Sequence, residues 1–227
     1  MFQFCISDEI HAACPAYVAA VIEAGVMAVP TPAALLDEMA AETAALRRRL
    51  TTDGVKALSA VAATRAAYRR CGKDPGRYRP SGEQLMRRVV QGKDLYVVDA
   101  LVDLLNLASL RSGYSIGGFD ADRIVGSVLS LGIGREGEPY EGIGRGPLNI
   151  AGMPVWRDAA GGVGTPTSDN VRTRLTASTR RLLTIVNGYD GCEEALHRTA
   201  DDIRAMLRRY GSSDGGTLRF IRHGNCP

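Results

Sequence analysis

The sequence predicts an α+β fold, and two observations carry the expectation. Helical patterns cluster in the first half of the 227-residue chain, whereas short apolar strings separated by glycine turns fill the second half. Helices and strands segregated in this way favour α+β over a doubly wound sheet, which needs regular alternation. No linker divides the chain, so a single domain over 1–227 is expected, long enough to bury a core.

The elements follow in order. Phe2, Phe4 and Ile6 alternate across residues 1–6 as one face of a strand, and the apolar stretch 17–27 reads as a second. Thr31-Pro32 starts a helix, which Leu35, Met39, Thr43, Leu46 and Leu50 continue at helical spacing. A further helix spans 55–71, with Leu58, Val61 and Ala62 inward and Gly72 as its stop. Ser81-Gly82-Glu83-Gln84 has the form of a capping box opening a helix that ends at Gly92. Asp99 caps a helix over 100–112, apolar on most sides, with Asp103, Asn106 and Ser109 as one narrow polar stripe. Beyond Gly113, strings at 127–131, 153–156, 181–187 and 218–221 read as strands, and 193–210 is an amphipathic helix. Gly132-Ile-Gly-Arg-Glu-Gly137 matches GxGxxG, but Pro139 and more glycines follow where the dinucleotide motif needs a helix. Two hairpin turns are the better reading.

Charge is unevenly spread. Residues 47–94 hold 13 Lys+Arg against 4 Asp+Glu, a balance of +9, leaving −6 on the rest of the chain. Of 28 basic residues 25 are arginine, whose planar fork suits phosphate. Such a block is either the footprint of a polyanion or a set of solvated helix faces. No uncharged apolar run reaches the roughly 18 residues of a membrane span. The first ten residues carry Asp8 and Glu9 without a basic region, so no signal peptide is expected and the cytoplasm is the expected location. The five cysteines (Cys5, Cys14, Cys71, Cys192, Cys226) and three histidines lie far apart in sequence. Neither a zinc site nor a disulfide framework is expected, and most of the thiols read as buried or inert. No metal and no cofactor is expected, and no Ser/His/Asp triad is legible.

Several strings together resemble a known family. Tyr68-Arg-Arg-Cys-Gly-Lys-Asp-Pro75, Tyr78-Arg-Pro-Ser81, Val102-Asp-Leu-Leu-Asn-Leu-Ala-Ser-Leu110 and Ile116-Gly-Gly-Phe-Asp120 resemble the editing (B-three/B-four, tRNA-binding) module of the phenylalanyl-tRNA synthetase beta chain. Gly164-Thr-Pro-Thr-Ser-Asp-Asn-Val-Arg-Thr173 resembles free-standing versions of it. The resemblance covers 55–187, with 1–50 and the helix 193–210 as extensions. It implies a trans-acting deacylase that hydrolyses a mischarged amino acid from tRNA, with aminoacylated tRNA and its amino acid moiety as partners. The chain departs from the bacterial pattern at Gly117, which stands where that pattern has a histidine, so the histidine's role is not carried over.

Hydrolysing an aminoacyl ester needs a positioned water and donors for the oxyanion more than a strong nucleophile. Candidate catalytic residues are Asn106, the backbone N–H groups of a Gly117-Gly118 turn, and Asp169. Candidate substrate contacts are Asp103, Ser109, Asp120, Thr167, Ser168, Arg172 and Thr173. Structural readings stand beside these: Asn106 and Ser109 as braces of loops, Thr167–Asp169 as an Asx-type turn, and Asp120 as a helix cap. Arg69, Arg70, Lys73, Arg77, Arg79, Arg87, Arg88 and Lys93 are the candidate tRNA phosphate contacts. The alternatives are a non-catalytic module binding tRNA or an amino acid, and a small-molecule hydrolase, which the basic block disfavours.

Overall fold

A computed structural model describes residues 1–224; Cys226 lies outside the described residues. The chain runs β1 (Gln3–Ile6), α1 (Asp8–Ala13), β2 (Val18–Gly25), α2 (Ala33–Arg49), α3 (Thr52–Ala57), α4 (Ser59–Arg70), α5 (Ser81–Val90) and α6 (Ala100–Ser112). It continues with β3 (Ser115–Asp120), β4 (Val128–Ile133), β5 (Glu141–Gly142), β6 (Gly146–Pro147), β7 (Pro154–Asp158), β8 (Gly161–Gly164), β9 (Arg181–Gly188), α7 (Glu193–Tyr210) and β10 (Thr217–Ile221). The fold is α+β.

One sheet has the order β10-β2-β9-β3 and is antiparallel throughout. A second has the order β1-β4-β7-β8, with only β1 and β4 parallel. The first sheet is the middle layer. Along β2, Val18, Ala20, Ile22 and Ala24 pack with residues of α2, α6 and α7. The alternate residues Ala19 and Val21 pack with Phe4, Leu129, Leu131 and Trp156 of the second sheet. The period of two along a strand sends its side chains into two cores.

The α6 helix forms where the sequence places it. Asp99 accepts the N–H groups of Leu101 and Val102 at 2.9 and 3.0 Å, and Gly113, at φ +82°, ends the helix in the left-handed region.

Several expectations are corrected. The single helix over 55–71 is two, broken at Leu58, whose extended backbone (ψ 135°) turns its side chain onto the Leu46–Val55–Val61–Met86 cluster. Ala62 is exposed; Ala60, Thr64, Ala67 and Tyr68 are buried instead. The capping box does not form. Pro80 holds the N-cap position, the Ser81 N–H donates to the Pro166 carbonyl at 2.7 Å, and the Gln84 amide donates to Arg79 O. Gly117 and Gly118 lie inside β3 and not in a turn. The short helix α1, capped by Ser7, and the glycine-rich strand β8 are additions to the expected elements. Cys5 is disulfide-bonded, a departure from the expected set of unbridged thiols, whereas Cys14, Cys71 and Cys192 are free.

Glu83 shows what replaces the capping box. It is fully buried, and Arg65 Nη1 donates to its two oxygens at 2.8 and 3.1 Å while also reaching Pro75 O at 3.0 Å. The pair ties α5 to α4. Removing one partner of a buried pair leaves an uncompensated charge, a cost of about 3–5 kcal/mol. Arg65 is slightly exposed, so Glu83→Ala is expected to cost about 3 kcal/mol, the low end of that range. Urea unfolding with an unchanged m-value checks this; a loss below about 1 kcal/mol would show the pair to be only a surface-like contact.

Candidate functional site

On its helix-layer face, β3 forms the floor of a groove walled by α6, the β5–β6 ribbon and the segment 165–177. The groove has two chambers. One, of about 520 Å³, is lined mainly by apolar residues, among them Val98, Val102, Leu105, Ile116 and Leu175. The other, of about 420 Å³, is lined by Ser81, Gln84, Tyr96, Ser109, Arg145 and the 165–168 turn. Asn106, Ile116, Ile143 and Asp169 belong to both and form the seam.

Asp169 reaches the seam because its backbone is fixed on two sides. Its carbonyl accepts the Ile143 N–H at 3.0 Å, and it bridges to Gly164 of β8. Its Oδ2 accepts the Gly118 N–H at 3.0 Å. Part of the residue is exposed, yet the carboxyl is enclosed by protein, and desolvation pushes its pKa up to about 7, the Gly118 N–H only partly offsetting the rise. Glycine is required around it. A Cβ on Gly117 or Gly164 would meet the Phe119 ring at 2.6 or 2.5 Å and Asp169 Oδ1 at 3.2 Å.

The structure thus gathers Asn106, Ser109, Gly118, Thr167, Ser168 and Asp169 round one groove. The Asn106 side chain makes no hydrogen bond among the described residues. The turn is built on Thr165, whose hydroxyl accepts the N–H groups of Thr167 and Ser168. Asn170, not Asp169, takes the Asx role by accepting the Arg172 N–H at 2.9 Å. Thr167 is buried, its hydroxyl 2.8 Å from that of Tyr68.

Other candidates sit elsewhere. Asp103 is buried against Thr31 Oγ1 (2.6 Å) and the Val98 N–H. Asp120 caps the 3-10 turn Ala121–Arg123 and accepts the Thr179 hydroxyl at 2.9 Å. Arg172 forms a two-pronged pair with Asp158 at 2.9 and 2.8 Å, and Thr173 is fully buried. Gly117 faces Phe119 rather than the groove. The expected pair of free glycine N–H donors does not form. Gly118 gives its N–H to Asp169, and alternation along an antiparallel edge strand turns the Gly117 N–H toward β9. In the basic block, Lys73 is buried, its Nζ 2.7 Å from Asn149 O and 3.9 Å from the Tyr78 ring centroid. Arg87 lies against Glu83, and Arg88 donates to Asp94 O. Arg69, Arg70, Arg77, Arg79 and Lys93 are exposed. Sequence reasoning missed Tyr96, Ile143 and Arg145. Their only signal is an aromatic in the apolar run 95–98 and the Ile-Gly-Arg of the ribbon. No helix among the described residues is long and apolar enough to cross a membrane.

A family model described as the B3/4 domain matches residues 63–211. The chain belongs to this family. The matched B3/4 segment contains every residue that lines the groove, whereas β1, β2, α2 and β10 lie outside it. No match was found among curated proteins. Among solved structures, the chain is similar to an N-terminal fragment of the phenylalanyl-tRNA synthetase beta-subunit from Pyrococcus horikoshii, at a TM-score of 0.47 and 14% identity. That alignment covers 96% of this chain and 50% of the fragment, so the B3/4 chain spans about half its length.

The raised carboxyl has a signed consequence. An unfolded aspartate titrates near ~3.9, so between that pH and about 7 the folded protein keeps a proton that the unfolded chain releases. Stability contributed by Asp169 is therefore present in acid and lost as pH rises through 7. Asp169→Asn is expected to gain on wild type in urea midpoint across that window and to hold its lead above it. A wild-type-minus-variant difference that ignores pH would show that the carboxyl titrates normally.

Proposed function

We propose that the chain is a trans-acting hydrolase of aminoacyl-tRNA esters that removes a mischarged amino acid. The observation that carries this reading is the seam: a carboxyl titrating near 7 between an apolar and a polar chamber. An aminoacyl ester has the same division, an amino acid side chain on one side of the carbonyl and a sugar on the other. The sequence resemblance and the B3/4 membership support the substrate class.

In this reading the apolar chamber takes the amino acid side chain. Asp169, as carboxylate, accepts a proton from a water whose oxygen attacks the ester carbonyl carbon. A general base is most effective with a pKa near working pH. The Asn106 amide, without a hydrogen-bond partner among the described residues, is the donor toward the developing oxyanion. Collapse breaks the bond to the ribose oxygen, which leaves with the proton from Asp169. One observation favours a second reading, a binding module without chemistry: neither N–H of Gly117-Gly118 is free to serve an oxyanion.

Incubation with a panel of charged tRNAs separates the two. Ester loss is expected to rise with pH through about 7. Asn106→Ala and Asp169→Asn are each expected to slow it by roughly ten- to a thousand-fold, the range for one positioning or charge-stabilising group. Folded variants with wild-type rates would move the chemistry elsewhere. A wild type that hydrolyses nothing yet binds a free amino acid through Asp169 would favour the module.

Among the basic residues, those still exposed are the phosphate contacts in this reading. Arg69, Arg77 and Arg79 changed together to Glu should lower the salt slope of tRNA binding by roughly 0.7–0.9 for each phosphate no longer neutralised. Lys73, already bonded to Asn149 O, should contribute nothing to that slope. An unchanged slope in the triple variant would remove this face from the interface.

A further inference from the structure

The polar chamber carries a feature that ester hydrolysis does not use. Tyr96 lines it and is 72% exposed, on a strap between α5 and α6 that is held at both ends. At one end, Arg88 Nε donates to Asp94 O at 2.6 Å and Arg47 pairs with the Asp94 carboxylate at 2.9 Å. At the other, the Val98 N–H donates to the buried Asp103 carboxylate at 3.2 Å. Leu95 packs into the core between them. The ring is therefore presented on an anchored segment rather than a loose one. The Arg88 guanidinium lies 4.1 Å from the ring centroid and covers one face. Across the chamber, Arg145 is held by the side chain of Gln84, which positions a second guanidinium.

We infer that Tyr96 is a stacking platform for a purine base, and that its chamber takes a nucleoside monophosphate with Arg145 on the phosphate. An aromatic face backed by a cation is what an electron-rich base stacks on, and base–aromatic stacking is the main recognition of unpaired nucleotides. Val97 and Val98 follow Tyr96 on the strap at 58% and 61% exposure, and Ile143, which lines both chambers, adds a further exposed apolar side chain. The chamber's size falls in the range of small-ligand pockets, about 300–1,000 Å³. The identity of this nucleotide as the acceptor end of the substrate rests on the aminoacyl-tRNA reading; the stacking site itself does not.

Binding of adenosine 5′-monophosphate to the whole protein, followed by NMR titration at low salt, tests the inference without any ester. Wild type is expected to bind it, with shifts at Tyr96 and Arg145. Tyr96→Ala should weaken binding about five- to a hundred-fold, as the loss of one base–aromatic stack does, and Tyr96→Phe should restore it. Arg145→Ala should weaken the monophosphate but leave adenosine unchanged. Tyr96 is exposed and Arg88 keeps its bond to Asp94, so these variants should fold as wild type does. The inference is overturned if wild type fails to bind the nucleotide at millimolar concentration, or if Tyr96→Ala binds it as wild type does. Nucleotide binding lost in Tyr96→Ala, in a protein that hydrolyses no charged tRNA, would keep the subsite and remove the deacylase. Hydrolysis with a KM untouched by Tyr96→Ala would keep the deacylase and remove the identity of this nucleotide as the acceptor end.

Discussion

Burial of both faces of the β10-β2-β9-β3 sheet is the constraint from which the rest of the arrangement follows. Seven of the eight residues of β9 are buried, and β2 divides its side chains between two cores. Here the helices α2, α6 and α7 cover one side and the second sheet covers the other. The strand order leaves β3 at an edge, met on its outward side, among the described residues, by no further strand but by the isolated Phe119–Arg174 bridge. At Gly118 the partner is a carboxylate from a distant loop rather than another strand. Edge strands are commonly blunted by charge or by a covering loop. Here the covering loop brings Asp169, and the groove is the space left between that loop and α6.

What is legible in the sequence is what local rules decide. The 100–112 and 193–210 helices have the bounds that capping and periodicity imply, because Asp99 and Gly113 act within a turn or two of their own positions. The illegible parts depend on distant partners. A double glycine in mid-sequence reads as a turn, yet β3 needs glycine at 117 to admit the Phe119 ring and at 118 to admit Leu105. Glu83 reads as part of a cap because its partner, Arg65, lies eighteen residues back on another helix. Asn106, Ser109 and the 165–169 turn are each visible as polar exceptions. Their convergence with Tyr96 and Arg145, and the diversion of Asp120 and Arg172 into internal bonds, depend on tertiary geometry alone.

The histidine position of the bacterial pattern can be understood in the same terms. Any side chain at 117 would run into an aromatic ring and crowd a carboxylate oxygen. That space is taken by the Phe119 ring, and Asp169 Oδ1 stands 3.2 Å from where the Cβ would be. The basic block is likewise thinner in space than in sequence. Arg65 ties α4 to α5 and to Pro75 O, Lys73 bonds the Asn149 carbonyl, and Arg87 lies against Glu83 of its own helix. Part of a charge run that reads as a polyanion footprint is thus an internal brace.

The pairing of β2 with β9 also has a consequence in time. Val18 sits opposite Gly188, and β10 then closes against the other edge of β2. An N-terminal strand whose partners lie more than 150 residues later in the sequence must wait, apolar and unpaired, while most of the chain emerges from the ribosome. Contacts of such long sequence separation slow folding and leave sticky intermediates. The same sheet that gives the groove its floor is therefore completed late, once β9 and β10 have been made.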